Sequence, residues 1–197
     1  MILLMNTVIL ILISLGFIFF GCYKIYSDYK FNLKPIDNFP FYYCGKEYWY
    51  SRAVATVPFV FCKNKEDKWC VLANKRGEGT PDFQGYWNAP CGYLQFHVTG
   101  EENCSKETFE ETNVKVAPEK FKLFGVETNP SNNRQNVSLR YYALLDGTID
   151  DYQTNSNNSE KNEVADIKWI PLDEVDNYEW AFGHNNMIKE LNSSIFK

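Results

Sequence analysis

Glu107, Glu110 and Glu111 stand at i, i+3 and i+4 in the proline-free segment GEENCSKETFEET. On a helix those offsets put all three carboxylates on one face, within reach of a common point. Like charges so placed repel. Either water solvates the cluster on a surface helix, or a cation binds it. Oxygen-only donors suit Mg²⁺ or Mn²⁺, which in turn suit phosphate-bearing substrates. The residues before the helix favour the cation: Gly85-Tyr86-Trp87-Asn88-Ala89-Pro90-Cys91-Gly92 is a glycine- and proline-rich loop and strand end that could hold a ligand above the carboxylates.

The elements that must position these groups are legible in outline. Thr99 followed three residues later by Glu102 forms a capping box, so the helix starts near residue 100 and stops near Asn113. Upstream, strand-formers dominate from Phe41 onward: FYYC, a Gly45-Lys46 turn, EYWYSRA, ATVPFVFC, a charged turn at 64–67, and WCVLANK, read as hairpins on an antiparallel sheet. Residues 77–90 read as a loop. Strands are expected at 121–127 and 137–145, a polar loop at 151–162, a strand in DIKWIPL, and a terminal helix around His184 to Leu191. Strands, helix, strands, helix in one chain of 197 residues predict a single α+β domain with helices laid on a sheet.

Composition narrows the classes. With 45% hydrophobic and 17% aromatic residues the chain is no disordered polymer, and a net charge of −5 argues against a nucleic-acid binder that neutralises phosphates. From Met1 to Tyr23 there is no charged side chain, long enough for the roughly 30 Å hydrocarbon core of a membrane. This run predicts a transmembrane anchor. A cleaved signal peptide or a lipoprotein signal ending at Gly21-Cys22 are the alternatives, and both lack the usual basic start. Lys24, Lys30 and Lys34 follow the run, so the positive-inside rule puts the domain in the cytoplasm, single-pass and membrane-tethered. Residues 24–40 read as a connector and 41–197 as the domain. The six cysteines form no C-x-x-C pair, which excludes the usual zinc spacings, and Cys62 and Cys70 are expected to face each other across a hairpin as reduced thiols.

The segment Gly92 to Val114, GYLQFHVTGEENCSKETFEETNV, resembles the box of the Nudix hydrolases, G-x5-E-x7-R-E-U-x-E-E-x-G-U with U aliphatic. Gly92, Glu107, Glu110, Glu111 and Val114 match. GYWNAPCG resembles the family's G-x-W-x-x-P-G-G lead-in, with Cys91 for a glycine, and Glu163 lies six residues before Trp169 in EVADIKWIPLDEV, similar to the family's later glutamate and tryptophan-bearing strand. The departures are Val98 for the first glutamate, Lys106 for the arginine, Thr108 for an aliphatic residue and Asn113 for the second glycine. Asn113 is a tolerated left-handed cap, Lys106 lacks arginine's bidentate fork, and Val98 can neither ligate metal nor accept a proton.

The resemblance implies a Nudix-like α/β/α sandwich with a mixed sheet, hydrolysing the pyrophosphate bond of a nucleoside diphosphate linked to another moiety with Mg²⁺ or Mn²⁺. It implies Glu107, Glu110, Glu111 and the Cys91 backbone carbonyl as metal ligands, and Glu107 or Glu163 as general base, although Glu163 can also be read as an exposed loop acid. Arg76 could contact phosphate or end a strand in solvent. Trp87 and Trp169 could stack a nucleobase or pack in the fold. His97 reads as exposed or as a substitute catalytic group, and His184 as a cap or packing residue. Val98 and Lys106 keep open a catalytically impaired, nucleotide-binding module, and the anchor with a merely solvated acidic face keeps open a structural membrane protein.

Overall fold

The computed structural model describes residues 38–131, 136–156 and 162–196. The apolar run 1–23 and the connector as far as residue 37 lie outside the described residues. Among the described residues, no helix is long and apolar enough to cross a membrane. The chain divides between Ser51 and Arg52. Before that point, β1 (Phe39–Tyr43) and β2 (Lys46–Tyr50) form a two-stranded antiparallel hairpin turning through Cys44 and Gly45, both at positive φ.

From Arg52 onward the order is β3 (Ala53–Lys63), β4 (Trp69–Arg76), β5 (Trp87–Asn88), β6 (Gly92–Tyr93), α1 (Gly100–Thr112), β7 (Lys122–Glu127), β8 (Asn136–Thr148), β9 (Val164–Pro171) and α2 (His184–Ile195). The central path runs β5-β4-β3-β8-β7, with β6 added to β3 and β9 to β4. Strands β3 and β8 pair in parallel along nearly their whole length, and the other pairings are antiparallel. The expected run of antiparallel hairpins is therefore corrected at two points: β2 pairs only with β1, and β3 takes a partner distant in sequence. Parallel pairing requires a long crossover, so local sequence cannot announce it. Cys62 does face Cys70 across the β3–β4 hairpin, and both thiols are free.

Strand alternation sends β3 side chains to two cores. Phe59 and Phe61 join Val71, Ala73, Ile188 and Leu191 under α2, whereas Val60 and Cys62 join Leu72, Cys104 and Val114 under α1. One helix thus covers each face, the layered α+β architecture with a mixed sheet.

Helix α1 is set by its ends more than by an apolar stripe. Thr99 accepts from the Glu102 N–H while the Glu102 side chain accepts from the Thr99 N–H. At the other end Asn113 adopts φ 65° and donates its N–H to Phe109. Its buried face carries Asn103, Cys104, Thr108 and Thr112. Asn103 donates to Thr56 on β3 at 2.8 Å, and the Thr108 and Thr112 hydroxyls donate to the carbonyls of Cys104 and Thr108. These bonds satisfy the buried polar groups that would otherwise cost stability. They also let Thr108 occupy an aliphatic position of the box.

Candidate active site

The acidic face of α1 points toward the segment joining β5 to β6. A Cβ on Gly92 would lie 2.3 Å from the Glu107 carboxyl carbon, so only glycine leaves room for that carboxylate. Glu107 is 13% exposed. Glu111 is held by two donors, the Asn74 side-chain amide at 2.8 Å and the Cys91 N–H. Asn74 lies on β4 opposite Asn88 of β5, and Asn88 in turn donates to the Ala89 carbonyl and the Cys91 sulfur. Both asparagines are almost completely buried, with their side-chain carbonyl oxygens unpartnered.

Charge in this region is poorly compensated. Burial raises the Glu107 pKa above the ordinary carboxylate range, with Glu110 and Glu163 adding to the shift and Lys106 opposing it. Burial pushes Glu111 up further, helped by Glu107 and Glu163. The four glutamates therefore feel one another. Lys106 Nζ stands 3.3 Å from Glu107 and 2.5 Å from Glu110. Among the described residues, no three His, Cys, Asp or Glu side chains are already arranged around a metal position. The donor chemistry fits Mg²⁺ or Mn²⁺: oxygen atoms with excess negative charge, two of them on carboxylates whose ionisation a cation would favour. Assembling Glu107 and Glu110 on one ion requires Lys106 to release them.

Glu163 is carried by the segment entering β9. Its carbonyl accepts from the Gly77 N–H at 2.7 Å, and the Asn162 carbonyl accepts from Gly79 at 2.8 Å. A Cβ on Gly77 would fall 2.1 Å from the Asn162 oxygen. Gly77 thus anchors the Glu163 segment to the end of β4, a role that a glycine in a loop-like sequence does not reveal by itself.

Beside this acidic region lies a cavity of about 1210 Å³. Its floor is the sheet, with Ala55 and Val57 of β3, Ser138 and Arg140 of β8 and Glu127 of β7, and its walls are the 81–83 loop and the start of α2. Cys91 and Gly92 border both cavity and carboxylates. Arg76 enters the cavity wall where the β4–β9 register slips between Lys75 and Arg76. Its side chain is only 11% exposed, which removes the solvated-strand-end reading, and it donates to the Asp82 carbonyl at 2.9 Å and carboxylate at 2.6 Å. Arg140 pairs with Glu127 at 3.1 Å and leaves its buried Nε without a partner. Sequence reasoning did not single out Arg140. Its position on the cavity floor follows from the parallel β3–β8 pairing.

The remaining sequence candidates fall elsewhere. Trp87 is 6% exposed in the core, edge-on to Tyr178 and with Lys168 Nζ 5.2 Å from its ring centre, so its burial favours the packing alternative. Trp169 packs beside Tyr152 on the α1 side. His97 is exposed. His184 is buried at the first position of α2, where Gly183 is the cap residue. Its Nδ1 accepts the Ala89 N–H at 3.0 Å, tying α2 to the Cys91 segment, and burial depresses its pKa to about 3. The Cys91 thiol, half-buried, is pushed up to about 12 by desolvation, which disfavours it as a nucleophile.

The NUDIX domain family model matches residues 52–191. The chain belongs to the Nudix family. Among solved structures, the NUDIX domain of Shewanella oneidensis NrtR complexed with ADP ribose matches with a TM-score of 0.60 at 20% identity, covering 85% of this chain and 96% of that one. A MutT/nudix family protein from Enterococcus faecalis matches with a TM-score of 0.60 at 20% identity, over 82% of this chain and 66% of that one. A bifunctional NMN adenylyltransferase/ADP ribose pyrophosphatase from Francisella tularensis, complexed with AMP and a Mn ion, matches with a TM-score of 0.57 at 20% identity, over 73% of this chain and 42% of that one. Nudix-domain identities this low establish the shared fold. No curated protein matches the chain.

Proposed function

We propose that this Nudix domain is a divalent-metal-dependent hydrolase of nucleoside diphosphates linked to a second moiety, tethered to a membrane by residues 1–23 with the domain in the cytoplasm. The observation carrying the proposal is the contact between the Gly92 backbone and the Glu107 carboxylate at the border of the cavity. That contact supports reading the acidic face of α1 as the side of the cavity that would meet the pyrophosphate of a ligand. Solved structures of Nudix relatives with ADP ribose, or with AMP and a Mn ion, support the substrate class and the cofactor.

Glu107, Glu110 and Glu111, with the Cys91 carbonyl, would hold Mg²⁺ or Mn²⁺. Such an ion neutralises charge on the pyrophosphate and lowers the pKa of a bound water. The protein does the rest. Asn74 and the Cys91 N–H hold Glu111 in one orientation. Glu107 or Glu163 accepts the proton of the attacking water, and burial raises the Glu107 pKa toward the range useful for a base. Arg76, braced by Asp82, offers positive charge to phosphate, and Arg140 offers the free Nε–H to the distal half of the ligand.

The test is to incubate the full chain in detergent with ADP-ribose, NADH, dinucleoside polyphosphates, nucleotide sugars and nucleoside triphosphates, with Mg²⁺ or Mn²⁺, and to resolve the phosphorylated products. Cleavage of a nucleoside diphosphate derivative that disappears in Glu111→Gln is the expected result; no cleavage of any compound sinks the hydrolase reading. A second reading, a nucleotide-binding module without turnover, is favoured by Lys106, whose ammonium engages two of the metal-ligand carboxylates. Nucleotide binding with no product would select it.

A further inference from the structure

Seven of the twelve residues Phe39–Tyr50 are aromatic, against 17% of the whole chain, and none is Val, Ile, Leu or Met. Strands β1 and β2 pair only with each other, through a two-residue turn at Cys44 and Gly45 whose φ values of 50° and 75° suit the twist of a hairpin. A lone two-stranded hairpin is marginal in water, because it has no second layer on which to bury side chains. This one is exposed from Pro40 to Tyr50, and Tyr42, Tyr43, Trp49 and Tyr50 each keep more than half of their surface accessible. Concentrated exposed apolar surface marks an interaction site.

The distribution of the rings tells which partner they suit. Cross-strand partners share a face, so Phe41, Tyr43 and Tyr48 lie on one side, where Phe41 and Tyr48 stack at 5.6 Å. Tyr42 and Trp49 lie on the other, with the Tyr42 hydroxyl donating to Glu47 at 2.5 Å. A sheet seated on a protein core carries apolar residues on one face and polar residues on the other, because successive side chains alternate. Rings on both faces fit a partner that surrounds the hairpin. The lipid headgroup region is such a partner: it takes the apolar bodies of Tyr and Trp while their hydroxyl and indole N–H groups stay hydrated. The open strand edges need that hydration too, which bars the hairpin from the hydrocarbon core.

We propose that the β1–β2 hairpin is a membrane-surface element whose rings sit at headgroup depth. It extends the tether proposed above for residues 1–23, and chain length makes the two compatible. At about 3.5 Å per residue, the fifteen residues 24–38 reach at most about 50 Å from the end of the apolar run, so the bilayer surface is within the hairpin's range. Tethering raises the hairpin's effective concentration at that surface. An insertion too weak to hold a free protein then suffices as the second of two membrane signals.

Cys44 at the hairpin tip supplies the probe position. It is exposed, whereas Cys62, Cys70 and Cys104 are buried and the half-buried Cys91 thiol is pushed up to about 12. The full chain carrying Cys22→Ser is labelled at Cys44 with a nitroxide and reconstituted into phosphatidylcholine vesicles. Collisions of the label with oxygen, which concentrates in lipid, are compared with those of a water-soluble nickel chelate. The control carries the label at exposed position 119, through Cys44→Ser and Glu119→Cys. An oxygen-to-nickel ratio several-fold above the control is expected at Cys44. Tyr43→Ser with Trp49→Ser should lower it to the control value, and Tyr43→Phe with Trp49→Phe, which keep the rings, should not. A wild-type ratio equal to the control overturns the proposal, as does a raised ratio that survives the serine pair. Loss of nickel access without a gain in oxygen also overturns it, being the signature of a second copy or another protein surface over the rings. Resistance to alkaline carbonate extraction reads the tether separately. A resistant chain with a water-like Cys44 keeps the tether and removes the hairpin's role; an extractable chain whose Cys44 is lipid-like before extraction does the reverse.

Discussion

Lys106 connects two departures from the family's box. In the Nudix pattern that position is arginine and the first glutamate lies where Val98 stands. Without a carboxylate at 98, the Lys106 ammonium turns to Glu107 and Glu110, its neighbours at i+1 and i+4. On the proposed assignment, this internal cation would compete with a divalent ion for two of its ligands. Lys106→Gln is expected to tighten Mn²⁺ binding several-fold, read by calorimetry on the nucleotide-free protein; unchanged affinity would show that the ammonium leaves at no cost. Val98→Glu combined with Lys106→Arg gives the cation at 106 a partner outside the metal site. The pair should raise turnover by more than the two single changes combined, as interacting neighbours do. An inactive double variant that still binds nucleotide would select the module without turnover.

Glu111 makes the complementary case. Its carboxylate is pushed toward protonation by burial and by Glu107 and Glu163, so the metal-free protein carries a charge it would favour losing. Glu111→Gln should melt roughly 2–4 °C higher than wild type without metal, the shift that about 1 kcal/mol gives a domain of this size. It should lose the stabilisation that Mn²⁺ gives the wild type. Glu110→Gln should show no such gain, because Lys106 already offsets that charge. A Glu111→Gln variant still stabilised by Mn²⁺ to the wild-type extent would place the ion elsewhere.

At the level of elements, the parts legible in sequence are those fixed by local chemistry. The capping box at Thr99 and Glu102 and the left-handed Asn113 mark both ends of α1, and the Cys62–Cys70 pairing follows from a short hairpin turn. The acidic face was legible from its spacing. Long-range placement was not. The β3–β8 pairing brings Arg140 onto the cavity floor, and nothing near Arg140 in sequence announces it. Lys106 read as a softened arginine, whereas its choice of partners depends on Val98 being unable to pair. Gly77 belongs to the same class. Gly77→Ala is expected to destabilise the domain by about 1–3 kcal/mol, because the new methyl meets backbone rather than a movable side chain. It should also lower turnover by displacing Glu163. Gly92→Ala meets only the mobile end of Glu107, so it should fold nearly as well as wild type yet weaken Mn²⁺ binding. Chemical denaturation and metal titration of the two variants separate these effects, and equal stability losses would contradict the assignment.

For the molecule as a whole, the two sides of the sheet respond to acid with opposite sign. On the α2 side His184 is neutral and buried, with a folded pKa of about 3 against about 6.5 in an unfolded chain. Between those values the unfolded state binds the extra proton, so His184 withdraws stability as pH falls below about 6.5, reaching about 2 kcal/mol by pH 5. On the α1 side Glu107 and Glu111 have folded pKa values raised above the ordinary range. There the folded state binds the extra protons, so acidification adds stability to the metal-free protein, and that gain is lost as pH rises through the folded values. His184→Asn keeps a hydrogen-bond acceptor for the Ala89 N–H and removes the titrating ring. In metal-free buffer, wild type minus variant stability should therefore drop by about 2 kcal/mol between pH 7 and pH 5. The variant alone should grow more stable over that interval. Saturating Mn²⁺ should abolish the variant's gain, since a bound cation already compensates the carboxylates and protons then compete with it. Urea unfolding at the two pH values, with and without Mn²⁺, measures all three quantities. A variant whose metal-free stability falls on acidification as steeply as that of wild type would remove both the His184 assignment and the charge stored on the acidic face.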